Sequence, residues 1–114
     1  MAGYYEVKVA KDGQFHFNLK AGNHEVILSS ELYTTRAACD NGIASVQKNC
    51  SDDSKFERRK QKDGQDYFIL KAGNGQEIGR SEAYTSEAGM ENGIKSVQTN
   101  GTAQDVKDKT AEAA

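Results

Sequence analysis

Proline and tryptophan are absent from this 114-residue chain, and cysteine occurs only twice. Without proline, punctuation falls to glycine, of which the chain has 11, because glycine enters left-handed backbone at no steric cost. Cys39 and Cys50 both lie in the first half, with no counterpart in the second. A disulfide framework belongs to a secreted, cysteine-denser chain, so both are read as reduced thiols, Cys39 buried and Cys50 beyond a helix end. No apolar run approaches the roughly 18 residues of a membrane span. The opening Met1-Ala2-Gly3-Tyr4-Tyr5-Glu6 has neither the basic segment nor the apolar core of a secretory signal. Formal net charge is −2, so no global field draws the chain to nucleic acid or anionic lipid. The expectation is a cytoplasmic protein without membrane contact.

What the chain does have is internal repetition. Shifted by 51 residues, positions 5–49 align with 56–100 without a gap, and 24 of the 45 are identical. Leu19-Lys20-Ala21-Gly22-Asn23 returns as Leu70-Lys71-Ala72-Gly73-Asn74, and Asn41-Gly42-Ile43 as Asn92-Gly93-Ile94. Such agreement over a whole unit records a gene duplication. One unit of about 50 residues buries too little of its surface to be comfortable alone. The polar link Cys50-Ser51-Asp52-Asp53-Ser54-Lys55 is too short to separate two domains. Residues 1–106 are therefore read as one domain of two repeats, 4–52 and 53–106. It is a monomer that imitates a dimer of single units. Residues 107–114 are read as a disordered tail.

Within a repeat, Tyr5, Val7 and Val9 alternate with polar residues, as do Phe15, Phe17 and Leu19, and this period of two marks strands. A two-residue Asp12-Gly13 turn would set Val9 against His16. A three-residue loop, Lys11-Asp12-Gly13, sets Val9 against Phe15, Val7 against Phe17 and Tyr5 against Leu19, and keeps one face apolar. Gly13 then takes the left-handed position. The same parity makes Gly22-Asn23-His24 the next loop, placing Leu19 against Ile27 and, in the second repeat, Leu70 against Ile78. His24 must tolerate the left-handed position that Gly75 takes easily. Thr34 and Thr85 are candidate helix N-caps. Cys39, Ile43 and Val46 then recur at helical spacing, as do Met90, Ile94 and Val97, and the helices end near Asn49 and Asn100. Gly42 and Gly93 share the apolar face, which implies a close helix–sheet approach or a local break at Asn-Gly. Val106 can anchor one short edge strand.

Three stretches carry a resemblance to a known family: Asp-Gly-Gln-x-x-Phe-x-Leu-Lys-Ala-x-Asn, Ser-Glu-x-Tyr-Thr, and Asn-Gly-Ile-x-Ser-Val, in order and twice. The chain resembles the YegP-like family, small bacterial proteins built on a domain of unknown function. The resemblance implies an α+β fold, a tandem repeat of a β-β-β-α-β unit. The two units share one antiparallel-rich sheet, with a helix from each packed on it and pseudo-two-fold symmetry. It also implies exchange of C-terminal strands between units, here residues around Phe56–Lys60 and around Val106. It implies no activity.

Candidates for chemistry are few. His16 aligns with Tyr67 and His24 with Gly75, so neither belongs to the duplicated plan. With Cys39 and Cys50 they fit no zinc spacing. The turn Gly73-Asn74-Gly75 opens no helix and is not a phosphate loop. No catalytic residue, metal or cofactor is expected. Two polar sets remain. The basic run Lys55, Arg58, Arg59, Lys60 and Lys62, with Phe56 among them, suits a nucleic-acid backbone or the guarding of an exposed edge. The duplicated junction Ser30, Glu31, Tyr33 and Thr34, with Ser81, Glu82, Tyr84 and Thr85, suits a small anion or a partner at helix N-termini. Structure also accounts for it, with Thr capping, Glu pairing to Lys, and Tyr packing its ring while its hydroxyl stays wet. The leading reading is a non-enzymatic module that pairs with itself or a protein partner. The alternative is weak binding of nucleic acid or small anions.

Overall fold

The computed structural model describes residues 3–110. The elements run β1 (Tyr4–Val9), β2 (Phe15–Lys20), β3 (Val26–Ser30), α1 (Arg36–Asn49), a 3-10 turn (Asp53–Lys55), β4 (Phe56–Lys60), β5 (Asp66–Lys71), β6 (Glu77–Arg80), α2 (Glu87–Asn100) and β7 (Val106–Asp108). They form one seven-stranded sheet in the order β4-β5-β6-β3-β2-β1-β7. Every pairing is antiparallel except β1 with β7.

Turn chemistry sets the first hairpin. Gly13 sits at φ +85°, and Val9, Val7 and Tyr5 face Phe15, Phe17 and Leu19, the register of a three-residue loop. His24 takes φ 70° in the second turn. There the expected register fails. Leu19 faces Leu28 and Lys20 faces Val26, so Ile27 is an extra residue; Ile78 is likewise bulged between Leu70↔Gly79 and Lys71↔Glu77. A bulge breaks the period of two, which lets both Ile27 and Leu28 reach the core. Strict alternation would have turned one of them away.

The repeats meet in the middle of the sheet, where β3 pairs with β6 through Ser29↔Arg80 and Ser30↔Gly79. A Cβ on Gly79 would stand 2.6 Å from the Ser29 carbonyl oxygen, so this seam needs a residue without one. The helices straddle it: α1 packs on β2 and β6, α2 on β5, β3 and β2. Both asparagine-glycine steps stay helical. A single buried cluster results, in which Tyr5, Phe17, Leu28 and Val46 join Phe56, Phe68, Ile78 and Val97. Each such side chain contributes roughly 1.5–3 kcal/mol on burial, and the interior they make belongs to both repeats.

The strand after α2 crosses to the first repeat, with β7 beside β1 at Tyr5↔Val106 and Val7↔Asp108. The strand after α1 goes the other way: Phe56–Lys60 pairs with β5 of the second half and ends the sheet. The two strands expected to be exchanged, around Phe56–Lys60 and around Val106, thus each lie against the other half, the first antiparallel and the second parallel. Only the short link and 3-10 turn separate α1 from β4. The tail expected from residue 107 also starts too early, because β7 runs to Asp108 and Arg36 holds that residue at 2.9 Å. Residues 111–114 of that tail lie outside the described residues.

Candidate functional site

The duplicated junction links β3 to α1 and β6 to α2. The Ser30 hydroxyl accepts from the Phe17 N–H at 2.8 Å and donates to the Glu31 carbonyl at 2.8 Å. Ser81 repeats both bonds, from the Phe68 N–H at 3.0 Å and to the Glu82 carbonyl at 2.8 Å. These hydroxyls close the bend between strand and helix. Tyr33 then pairs backbone to backbone with Phe15, and Tyr84 with Asp66. That pairing keeps the tyrosines extended and delays each helix by one residue. The N-caps are therefore Thr35, bonded to the Ala38 N–H, and Ser86, bonded to the Gly89 N–H, both at 3.0 Å. Thr34 and Thr85 are exposed beside them. Each doublet holds two competent caps, so residue type alone did not choose.

The tyrosine rings stack on Phe17 and Phe68, with centroids 6.4 and 6.3 Å apart. Their hydroxyls lie over Gly42 and Gly93, where a Cβ would collide with them. Burial raises both phenols above the ordinary range. Glu31 meets no lysine. Its carboxyl hydrogen-bonds Glu77 across the seam, and that bond, then burial, raises its pKa. An anion gains little at these helix starts. Glu87 opens α2 with negative charge. At α1 the Arg36 guanidinium is held by Asp40 and Asp108, each at 2.9 Å.

The basic run does not form one patch. Alternation along β4 puts Arg58 and Lys60 on the helix side and Arg59 on the other. Arg58 donates to Glu91 at 2.6 Å and to Asp53 at 3.1 Å, Lys60 to Asp66 at 2.7 Å, and Arg59 to Glu57. Lys55 ends the 3-10 turn and Lys62 sits in the exposed turn after β4. The placement of Arg58 and Lys60 has a clear origin. Val9 faces Phe15 in the first repeat, and Lys60 faces Asp66 at the same register in the second. An apolar pair has become an ion pair at a sheet end. Two departures from the repeat at partner positions were a signal in the sequence, and reading each alone missed it.

The histidines and cysteines stay apart from any shared chemistry. His24 Nδ1 lies 2.8 Å from the Tyr4 hydroxyl. His16 faces Lys8, and burial, then that charge, lowers its pKa. Both thiols are buried, and burial pushes the Cys39 thiol up to about 11. Among the described residues no group of three or more metal-ligating side chains converges. What sequence reasoning did not find is the asymmetry of the sheet ends. Tyr5 N–H donates to the Asp105 carbonyl and the Val7 carbonyl accepts from Lys109 N–H, both on β7 or its flanks. On β4 the counterparts are Phe56 and Arg58. Phe56 N–H is taken by the Asp53 carbonyl of the 3-10 turn, and among the described residues no strand lies beyond Arg58.

Comparison with known proteins agrees with this architecture. The family described as domain of unknown function (DUF1508) matches twice, at residues 10–57 and 61–108. The UPF0339 protein MS1092 of Mannheimia succiniciproducens is 61% identical over 108 residues, covering 95% of this chain and 96% of its own length. The UPF0339 protein YegP of Yersinia pestis is 52% identical over 108 residues, with coverage of 95% and 96%. The solution NMR structure of YegP from E. coli, a protein of unknown function, superimposes with a TM-score of 0.92 at 48% identity, over 96% of this chain and 95% of that one. The repeat, its three motifs in both copies and these matches together place the chain in the DUF1508 family, in the tandem form of the UPF0339/YegP proteins.

Proposed function

We propose that the chain is a non-enzymatic interaction module of the cytoplasm, a two-repeat platform that meets a protein partner along the free edge of β4. The observation that carries this reading is the unequal ending of the sheet, with β1 covered by β7 and its counterpart β4 left without a neighbour among the described residues. An uncovered strand offers a row of backbone donors and acceptors, the usual template for strand addition. The duplicated junction supports the reading from the other side, since its serines and tyrosines are engaged in building the fold. Two unpaired buried thiols suit a reducing compartment. The nucleic-acid alternative has less support, because Arg58, Arg59 and Lys60 each face a carboxylate already.

The test is site-specific photocrosslinking in cells, with the reactive side chain at Arg59 on β4 or at exposed Lys95 on α2. Protein adducts from Arg59 and none from Lys95 are expected. Equal labelling from both sites contradicts the proposal. So does binding of DNA or RNA that fades with salt and disappears when Arg58, Arg59 and Lys60 are neutralised.

A further inference from the structure

We propose that Asn74 is a modification site, where the side-chain amide is lost through attack by the backbone nitrogen of Gly75. That nitrogen gives its proton to water or hydroxide and bonds to the Asn74 Cγ. The Cγ–Nδ2 bond breaks, and Nδ2 leaves as ammonia with a proton from solvent. Water then opens the cyclic imide at either carbonyl, which leaves aspartate or isoaspartate at position 74. Water is the one co-reactant, and no bond is oxidised or reduced.

The chain offers this reaction three times, at Asn41-Gly42, Asn74-Gly75 and Asn92-Gly93, because glycine has no Cβ to crowd the attacking nitrogen. The structure selects one. Asn41-Gly42 and Asn92-Gly93 lie inside α1 and α2, where the glycine N–H belongs to the helix ladder. Both glycines are buried, with the tyrosine hydroxyls over them, so attack there requires the helix to unwind. Asn74-Gly75 forms the tip between β5 and β6, and both residues are exposed. A Cβ built on Gly75 meets nothing within 4 Å. One backbone bond, from Gly75 N–H to the Ala72 carbonyl at 2.9 Å, holds the nitrogen. An exposed hairpin tip opens far more often than the middle of a packed helix. The Asn74 side chain is already folded over the Gly75 peptide link, because its Oδ1 accepts from the Gln76 N–H at 3.0 Å.

The first repeat contains the matching control. Asn23 Oδ1 accepts from the Glu25 N–H at 3.1 Å, and His24 N–H donates to the Ala21 carbonyl at 2.9 Å. Backbone φ is 70° at His24 and 84° at Gly75, so the two tips share one shape. They differ in the imidazole, whose Cβ crowds the nitrogen that would attack. His24 Nδ1 also lies 2.8 Å from the Tyr4 hydroxyl, which ties that tip to β1.

The two products act differently on the second tip. Asn74 lines a cleft with Lys48 and Lys55, and Lys55 Nζ stands 4.0 Å from the Cβ position of Gly73. Aspartate keeps the tip and sets a negative charge near these lysines. Isoaspartate lengthens the loop by one backbone carbon, which disturbs the bond from Ala72 N–H to the Gln76 carbonyl at 2.8 Å and the register it closes.

The experiment is incubation of the full chain at mildly alkaline pH, native and in urea, followed by tryptic mapping with mass spectrometry. Trypsin leaves Asn23, Asn41, Asn74 and Asn92 in separate peptides. In the native chain the peptide from Ala72 to Arg80 should gain about one dalton and split into aspartate and isoaspartate forms. The other three should stay unchanged over the same time. In urea Asn41 and Asn92 should react at a rate close to that of Asn74. Gly75→His should slow the reaction at Asn74 by about tenfold or more, equivalent to about 1.4 kcal/mol of barrier. His24→Gly should bring Asn23 to the rate of Asn74. Equal rates at the three Asn-Gly steps of the native chain overturn the proposal, as does an Asn74 no more reactive than Asn23. An unchanged rate in Gly75→His also overturns it, since the mass gain would then arise at Gln76.

Discussion

The hydroxyl of Tyr33 occupies the space that a Cβ on Gly42 would need, and Tyr84 stands to Gly93 in the same relation. This contact fixes how closely each helix approaches its sheet. Gly42→Ala should gain up to about 1 kcal/mol of helix propensity and lose about 1–3 kcal/mol to overpacking, for a net loss of about 1–2 kcal/mol in urea unfolding. Tyr33→Phe with Gly42→Ala should recover part of that loss, because deleting the hydroxyl removes the nearest atom while the ring carbon behind it and Phe17 still crowd the new Cβ. A double-mutant cycle checks it, and simple additivity of the two changes would contradict the contact.

The carboxyls of Glu31 and Glu77 meet across the seam between the repeats. A carboxyl whose pKa is raised on folding gives up stability as pH rises through that raised value, because the folded state binds the proton more tightly than the unfolded chain. Glu31→Gln should therefore stabilise the protein at pH 7. The gain should be about 0.3–0.5 kcal/mol, small because solvent screens the pair, and should vanish near pH 4. Thermal unfolding across that range is the measurement. A gain independent of pH would assign the effect to something other than the shared charge.

Cys39 and Cys50 have no solvent exposure, and burial raises both thiols. Neither should react with a disulfide reagent at pH 8 on the timescale of a free thiol. Both should react at a rate that follows the opening equilibrium, and denaturant should accelerate them together. Fast labelling of one cysteine in the native protein would show a local opening that the packing does not allow.

Removing residues 106–114 should uncover β1, whose edge is otherwise closed by the parallel pairing with β7. Loss of several hydrogen bonds at about 1 kcal/mol each predicts a drop of about 2 kcal/mol in stability and rapid exchange at the Val7 amide. Because Val7 and Val9 lack the charges that Arg58 and Lys60 bring to β4, the shortened chain should also self-associate. Sedimentation at several concentrations tests this. A shortened chain that stays monomeric would show that charge is not what keeps β4 unpaired.

Much of the fold was legible because two copies constrain each other. The alternation of Tyr5, Val7 and Val9 against Phe15, Phe17 and Leu19 required a three-residue loop, and the structure has it. The bulges at Ile27 and Ile78 were hidden because two adjacent apolar residues, Ile27 and Leu28, read equally well as alternation with one exposed. Choosing Thr34 over Thr35 was beyond residue type, since both can cap; the Tyr33–Phe15 pairing decides it. The basic run looked like one patch because sequence order ignores the two faces of a strand. Its charges are divided between those faces and matched by Glu57, Asp66 and Glu91. That β4 ends the sheet among the described residues while β1 is covered by β7 is a matter of topology that no single motif records.

The account rests on the two repeats forming one interior, and residue-resolved urea unfolding of the full chain tests that most directly. Amide NMR signals of Phe17 and Val46 in the first repeat, and of Phe68 and Val97 in the second, should be lost at one common midpoint with one slope. Two separate midpoints, with one repeat still folded while the other is lost, would contradict it.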